Sequence, residues 1–307
     1  MQGKTALTTR NPTQTVSLVL GSGGARGMAH IGIIQWLQEN NYIIQSVAGS
    51  SIGAVVGGIF AAGKLEAYTE WVTALSRTDV LMLLDFSFSW AGLFKGERII
   101  ELLRELVGEY NIEDLPISFT AVATDITAGK EIWLNRGSLF DAIRASFAIP
   151  TLFTPHEYLG RKLLDGGLLN PVPIAPTLND LTDIIVAVNL NGNAEPQPEV
   201  CIEEPTPKGK ESPYKQRIKK FVEEVSPRKR SKNHDWGFIE VIHHSLDVMQ
   251  NTISRQKLAA YSPDVTIDIP KNACGSFEFY RAKELIALGR RKAEKALIGM
   301  HCLDRNS

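Results

Sequence analysis

The chain has 307 residues, of which 44% are hydrophobic and 22% charged, and its formal net charge is −1. This size suits one large or two small globular domains, and the near-neutral charge gives no case for nucleic-acid binding. The three cysteines are far apart and form no C-x-x-C pair, which favours a reduced, cytoplasmic compartment. No apolar run approaches the roughly 18 residues that span a bilayer, so we expect any membrane contact to be peripheral.

The first predicted strand, at residues 16–20, leads into a glycine-rich loop and then a helical pattern over Met28 to Glu39. The loop reads Gly21-Ser22-Gly23-Gly24-Ala25-Arg26-Gly27. Bare amides at a helix start can cradle an anion, so the loop fits either a dinucleotide site or an oxyanion hole. The dinucleotide fingerprint fits poorly, because Arg26 occupies a required glycine position and Asn40 to Ala48 contains no acidic residue.

A nucleophile elbow is predicted after the second strand. Residues Gly49-Ser50-Ser51-Ile52-Gly53 fit Gly-x-Ser-x-Gly, in which a serine on a sharp strand-to-helix turn exposes its hydroxyl. Gly49 and Gly53 remove Cβ atoms where strand and helix pass closest. The motif alone also fits a simple helix-packing turn. A glycine loop after one strand and an elbow after the next lie at the same edge of a parallel sheet, which favours the oxyanion interpretation.

Further elements follow the elbow. Helices are predicted over Ile52 to Ala62, Lys64 to Ser76 and Glu97 to Val107, and strands over Ser118 to Asp125 and Glu131 to Leu134. Between the second and third of these helices, residues 81–94 are unusually apolar and aromatic. That segment is either buried core or a wall or flap that receives an acyl chain.

An aspartate followed by two glycines marks the next part of the chain. A predicted helix over Ser138 to Ser146 comes first, and residues 161–164 then lead into Asp165-Gly166-Gly167. This Asp-Gly-Gly sequence is either a simple turn or a catalytic carboxylate on a tight bend. A strand lies within Asp183 to Leu190. The alternation of strands and helices predicts an α/β fold with a mainly parallel central sheet flanked by helices.

Composition changes after Gly192. Residues 195–207 carry four prolines and four glutamates, and residues 208–232 hold ten basic residues against three glutamates, a balance of about +7. This stretch is either a solvated insert or a patch that binds anionic headgroups. We divide the chain into a tail at 1–15, a core at 16–192, a variable insert at 193–235, and helices and a strand at 236–307 that complete the domain.

No histidine stands in a setting that marks it as a catalytic base. There are six: His30, His156, His234, His243, His244 and His301. Metal motifs such as H-E-x-x-H do not occur in the sequence. We interpret all six as surface or core residues and expect neither a metal nor another cofactor.

Taken together, four motifs resemble those of the patatin-like phospholipases, in particular the bacterial members related to neuropathy target esterase. In order they are Gly23-Gly24-Ala25-Arg26-Gly27, the Ser51 elbow, Ala145-Ser146-Phe147-Ala148-Ile149-Pro150 and Asp165-Gly166-Gly167. The resemblance runs from about Val16 to Leu190 and implies a three-layer fold whose core at 16–192 is the catalytic domain.

The resemblance also implies an activity, that of a serine acyl hydrolase acting on phospholipids or lysophospholipids. It implies Ser51 as the nucleophile and Asp165 as the general base, with an oxyanion hole formed by Gly23, Gly24, Ala25 and Arg26, whose amides come from the first three. Arg26 matches the family's basic position, and Gly21, Gly27, Gly49, Gly53, Gly166 and Gly167 support the motifs. Ser22 stands where many members have glycine. A nucleotide- or lipid-binding module without turnover remains the alternative, and residues 208–232 are the candidate for peripheral membrane contact.

Overall fold

The computed structural model describes residues 13–83, 97–196 and 238–304. The strands are β1 (Gln14–Leu20), β2 (Tyr42–Ser50), β3 (Ser118–Asp125), β4 (Lys130–Leu134), β5 (His156–Tyr158), β6 (Arg161–Asp165), β7 (Ile184–Gly192) and β8 (Val265–Pro270). The α-helices are α1 (Met28–Glu39), α2 (Ile52–Ala61), α3 (Leu65–Ala74), α4 (Arg77–Leu83), α5 (Glu97–Val107), α6 (Leu139–Ser146), α7 (Phe238–Tyr261) and α8 (Ala282–Asp304).

The strands form one sheet in which the pairings run β5-β6-β3-β2-β1-β7-β8, with β6 and β2 along one edge of β3 and β4 along the other. The run β3-β2-β1-β7-β8 is parallel throughout. Strands β4, β5 and β6 join it by antiparallel pairing. The predicted fold class is confirmed, because the sheet is mostly parallel and helices flank it.

One edge of β3 changes its partner where β2 ends. Up to Val122 this edge pairs with β2, whose last residue, Ser50, lies opposite Val122. From Ala123 onwards it pairs with β6, and Asp165 lies opposite Ala123. Both partners share one edge, because β4 occupies the other edge over residues 121–125. Strand β6 therefore takes the place of β2 at the point where the chain leaves the sheet, and this sets Asp165 beside the residue that follows Ser50.

The two faces of the sheet carry separate cores. Leu18 and Leu20 of β1 are fully buried in the larger core, to which α1, α2 and α8 contribute. Val19 points to the opposite face, since successive side chains of a strand alternate. There it packs in a smaller cluster with Val172 and Ile174, against which side chains of α7 are also packed. The sheet thus lies between two apolar layers.

Helices α1 and α8 pack at backbone distance through a reciprocal pair of glycines. A Cβ atom on Gly32 of α1 would lie only 1.9 Å from the carbonyl oxygen of Ile286. A Cβ atom on Gly289 of α8 would lie 2.0 Å from the carbonyl oxygen of Ala29. Neither position can hold a side chain without a shift of backbone, so the contact fixes the C-terminal helix against the helix that follows the glycine loop.

Two predicted segments fall largely outside the described residues: residues 84–94 of the apolar stretch at 81–94, and residues 197–235 of the insert at 193–235. The described residues up to Glu195 and from Leu246 onwards form one compact unit, and the described residues between them belong to a second. The domain boundaries drawn from the sequence stay predictions. Within the described ranges, no helix is both long and apolar enough to cross a lipid bilayer.

We predict that Gly32→Ala and Gly289→Ala each destabilise the protein. Alanine has the higher helix propensity, but the added methyl group would have to separate α1 from α8, and such overpacking costs about 1–3 kcal/mol. Urea unfolding followed by circular dichroism would measure the loss. Gly275→Ala is the matched control, because its Cβ would make ordinary contact with Glu278 at 3.4 Å. An equal loss in the control would contradict this account.

Candidate active site

Ser51 occupies a strained position between β2 and α2. Its backbone has φ 57° and ψ −123°, a region that residues with a side chain rarely adopt. A Cβ on Gly49 would lie 2.4 Å from the carbonyl oxygen of Gly53, and a Cβ on Gly53 would lie 2.0 Å from that of Leu20. Glycine is therefore required on both sides of the elbow, because the turn is closed at backbone contact.

The hydroxyl of Ser51 is bonded to the carboxylate of Asp165. Ser51 Oγ donates to Asp165 Oδ2 at 2.5 Å. The other carboxylate oxygen, Oδ1, accepts from the amide of Gly167 at 2.7 Å, at the start of a short 3-10 turn. Both side chains are shielded from solvent, since Ser51 is 2% and Asp165 3% exposed. Residues 114 positions apart in the sequence thus meet because β6 replaces β2 along β3.

The environment of Asp165 favours its protonated form more than water does. Burial raises the pKa of its carboxyl from 3.8 to about 7, although the bonds from Ser51 and Gly167 act in the opposite direction. Desolvation is the larger effect because it removes the carboxylate from water, whereas two neutral donors replace only part of that solvation. A carboxylate with a pKa near 7 can take up a proton far more readily than an ordinary aspartate.

The two glycines after Asp165 allow close approach on two sides. A Cβ on Gly166 would lie 2.0 Å from the carbonyl oxygen of Val122 on β3. A Cβ on Gly167 would lie 2.5 Å from Ser22 Oγ and 2.9 Å from Asp165 Oδ1. The aspartate turn is consequently packed against β3 on one side and against the glycine-rich loop on the other.

The backbone amides of the glycine-rich loop divide into bonded and available ones. The amide of Gly21 donates to Val188 O at 3.1 Å, and that of Ser22 donates to Pro171 O at 2.8 Å. The amide of Ala25 donates to Ser276 O at 2.9 Å. Among the described residues, the Gly23 and Gly24 amides have no acceptor. Of the three amides predicted to bind an oxyanion, the Ala25 amide is already engaged, and those two remain.

Arg26 anchors this loop to the ends of two strands. Its guanidinium donates to the carbonyl oxygen of Lys271, just after β8, at 3.1 Å and to Asn191 Oδ1 on β7 at 3.3 Å. Desolvation by burial lowers its pKa. Gly27, next in the chain, lies against the first residue of α2, because a Cβ there would come within 2.4 Å of Ile52 Cγ1. The loop is thereby held beside the start of the helix that follows Ser51.

One buried histidine, His30, supports the glycine-rich loop through a hydrogen bond to its backbone. His30 on α1 lies 3.0 Å from the carbonyl oxygen of Gly21 through Nε2, which must carry the proton because a carbonyl oxygen only accepts. Burial lowers the pKa of His30 to about 4, so the ring is neutral at physiological pH. Within the described ranges, the Asp165 carboxylate is bonded to Ser51 and Gly167 and to no histidine.

The sequence analysis did not identify Thr124 or Ser146 individually as residues of the site. The hydroxyl of Thr124 donates to the carbonyl oxygen of Asp165 at 2.9 Å, and nothing but its place at the end of a predicted strand pointed to it. Ser146 lies in a motif that the sequence did single out, yet its contacts depend on tertiary structure. In the part of the chain that the structure describes, no group of three or more His, Cys, Asp or Glu side chains could hold a metal ion.

Comparisons with known proteins found a matching family model, several similar sequences and a similar solved structure. Residues 18–178 match the family model described as patatin-like phospholipase. An uncharacterized NTE family protein of Mycobacterium tuberculosis is 39% identical over 327 residues, covering 92% of this chain and 91% of that protein. Neuropathy target esterase of Drosophila persimilis is 36% identical over 168 residues, 52% of this chain and 12% of that protein. The crystal structure of VipD from Legionella pneumophila matches with a TM-score of 0.42 and 16% identity, over 92% of this chain and 66% of that one.

We predict a stability signature for Asp165. Because folding raises its pKa from 3.8 to about 7, the folded protein holds a proton that the unfolded chain has released between these values. Stability should fall as pH rises through this window, by up to about 4 kcal/mol. Asp165→Asn removes this dependence, so its stability relative to wild type should increase from pH 5 to pH 8 in urea unfolding.

Asp125→Asn is the control for this measurement. Backbone amides and Arg161 hold the pKa of Asp125 below its ordinary value. The contribution of the ionised Asp125 to stability is therefore fully present above about pH 4 and is lost only at lower pH. The difference between Asp125→Asn and wild type should therefore stay constant from pH 5 to pH 8. A constant difference for Asp165→Asn as well would contradict a raised pKa.

Proposed function

This chain belongs to the patatin-like phospholipase family, and we propose that it is a serine hydrolase that cleaves fatty-acyl esters of phospholipids or lysophospholipids. The family predicted from the four motifs is confirmed, and membership supports lipid hydrolase activity in general. The finer proposal rests chiefly on one observation, the 2.5 Å bond from Ser51 Oγ to the buried carboxylate of Asp165. This is the contact that a nucleophile needs with its general base.

In the first half of the proposed reaction, Asp165 accepts the proton of Ser51 as Oγ attacks the ester carbonyl carbon. The carbonyl oxygen becomes an oxyanion, and the amides of Gly23 and Gly24 are the donors we assign to it. A preorganised donor of this kind contributes about 3–4 kcal/mol to stabilising the transition state. Because Ser51 and Asp165 are buried, we expect the local dielectric constant to be low and these dipoles to act more strongly than they would in water.

In the second half, the tetrahedral intermediate collapses and the leaving alcohol takes the proton from Asp165. The acyl group is then attached to Ser51 as an ester. Water attacks this ester while Asp165 accepts its proton, and collapse returns that proton to Ser51 Oγ as the fatty acid leaves. One carboxylate thus serves as base and acid in turn, a role that suits a pKa near 7.

We also propose that residues 208–232 provide peripheral contact with anionic bilayers. Their balance of about +7 in the sequence supports this, and the segment lies outside the described residues. The competing function is a nucleotide- or lipid-binding module without turnover. Engagement of the Gly21, Ser22 and Ala25 amides by backbone acceptors leaves few donors for a pyrophosphate, which favours the hydrolase.

We predict that a fluorophosphonate probe labels Ser51 and that Ser51→Ala and Asp165→Asn each remove nearly all turnover of a p-nitrophenyl ester. Since the two residues act as one unit, the double variant should be little worse than either single variant. Asp165→Asn is nearly isosteric, so the loss should fall on kcat while the protein stays folded.

Histidine variants are the matched control for these losses. Each of the six His→Gln variants should retain turnover to within about tenfold of wild type, because neutral His30 supports the loop and does not transfer a proton in this mechanism. A thousandfold loss in one folded His→Gln variant would show that a triad operates. An unlabelled, inactive wild type that binds a nucleotide would instead support the binding-module alternative.

We predict a substrate with at least one fatty-acyl chain. Activity should rise from acetyl to medium or long acyl p-nitrophenyl esters, because burial of additional CH₂ groups adds about 0.8 kcal/mol each. Mass spectrometry of a mixed lipid extract before and after incubation should show released fatty acid with wild type and none with Ser51→Ala. A strict preference for acetyl esters, with no fatty acid released from phospholipid or lysophospholipid, would rule out this substrate class.

A further inference from the structure

The side chain of Ser146, the last residue of α6, is bonded to the backbone of Ser51. The Ser51 amide donates to Ser146 Oγ at 2.9 Å, and the Ser146 hydroxyl donates to the carbonyl oxygen of Val122 at 2.6 Å. Its single proton is therefore committed to β3, and its lone pair faces the elbow. Ser146 is fully buried, so water does not compete for either bond.

The same short segment also holds Asp165. Two residues after Ser146, the carbonyl oxygen of Ala148 accepts the Asp165 amide at 3.0 Å. From the other side, the Thr124 hydroxyl donates to the Asp165 carbonyl oxygen at 2.9 Å. Residues 146–148 are thus bonded to the backbones of both Ser51 and Asp165, and they span the gap between the elbow and β6.

The elbow needs such a restraint. Ser51 is a non-glycine residue at φ 57°, and rotation toward an ordinary φ would move both its amide and its Cβ. The bond from the amide to Ser146 Oγ opposes that rotation. Because Oγ is carried by Cβ, the position of the hydroxyl relative to Asp165 Oδ2 depends on the same bond.

We propose that Ser146 is a positioning residue of the hydrolase proposed above: its hydroxyl holds the Ser51 backbone so that Oγ stays within bonding distance of Asp165. This inference rests on the proposed function and extends it to a residue that touches no substrate. It also means that the Ser51 amide is already engaged. The amide is thus unavailable to an oxyanion, which is consistent with assigning that role to Gly23 and Gly24.

The test compares Ser146→Ala with Ser50→Ala. Both serines are fully buried, and Ser50 is adjacent to the nucleophile, but within the described residues the Ser50 hydroxyl has no hydrogen-bond partner. Turnover of a soluble p-nitrophenyl ester should fall 10- to 100-fold in kcat for Ser146→Ala, with KM within twofold of wild type. Ser50→Ala should stay within twofold in both constants. The rate of fluorophosphonate labelling should follow kcat.

The pH profile separates positioning from a merely structural role. The bond from Ser51 helps to hold down the pKa of Asp165, so a looser contact in Ser146→Ala should shift the acid limb of kcat to higher pH. Melting temperatures measured alongside ensure that rates are compared between folded proteins. If Ser146→Ala does not fold, Ser146→Cys, which is close in shape but a weaker acceptor, should show the same shift and a smaller loss of kcat.

Two outcomes would overturn the inference. The positioning role alone is overturned if the wild type is active and a folded Ser146→Ala or Ser146→Cys variant keeps the kcat and the acid limb of the wild type. A change in melting temperature does not alter that conclusion. A wild type that neither reacts with fluorophosphonate nor hydrolyses any ester would overturn the proposed function and the positioning role with it.

Discussion

The change of partner along one edge of β3 is the constraint on which the site depends. Strand β2 must end at Ser50 for β6 to begin pairing at Ala123, and this is also where the elbow leaves the sheet. Because Val122 and Ala123 are adjacent on β3, a serine on the elbow and an aspartate at the end of β6 must lie close together. The glycines at 49, 53 and 166 follow from this arrangement, since each one lies where two backbones are in contact.

Burial makes Asp165 a stronger base, and it also lowers the stability of the folded protein. A carboxylate taken out of water becomes a stronger base, but above pH 7 the protein must hold an ionised group with only two neutral donors. The strained φ of Ser51 is a second cost at the same place. Both are tolerated because the Ser146 side chain holds the Ser51 amide and the carbonyl oxygen of Ala148 holds the Asp165 amide.

The sequence was informative wherever the decisive contacts are local. Helices α1 and α5 have the predicted limits, and the elbow follows the predicted strand, because periodicity and glycine spacing act over a few residues. Strand β5 was not predicted, since three residues carry no recognisable period. Engagement of the Ala25 amide was equally invisible: its acceptor, Ser276, is some 250 residues away, and only the tertiary structure brings the two together.

That distant acceptor shows how much of the site depends on the C-terminal part of the chain. Asn191, Lys271 and Ser276 all hold the glycine-rich loop, and all three lie beyond residues 18–178, which match the family model. The glycine contact between α1 and α8 adds a further restraint, because α1 begins directly after the loop. The motifs supply the groups that we propose react, whereas residues beyond the matched range help to fix the loop whose amides we assign to the oxyanion. A domain cut at the end of the matched residues would therefore keep every motif and lose the contacts that Asn191, Lys271 and Ser276 make with the loop.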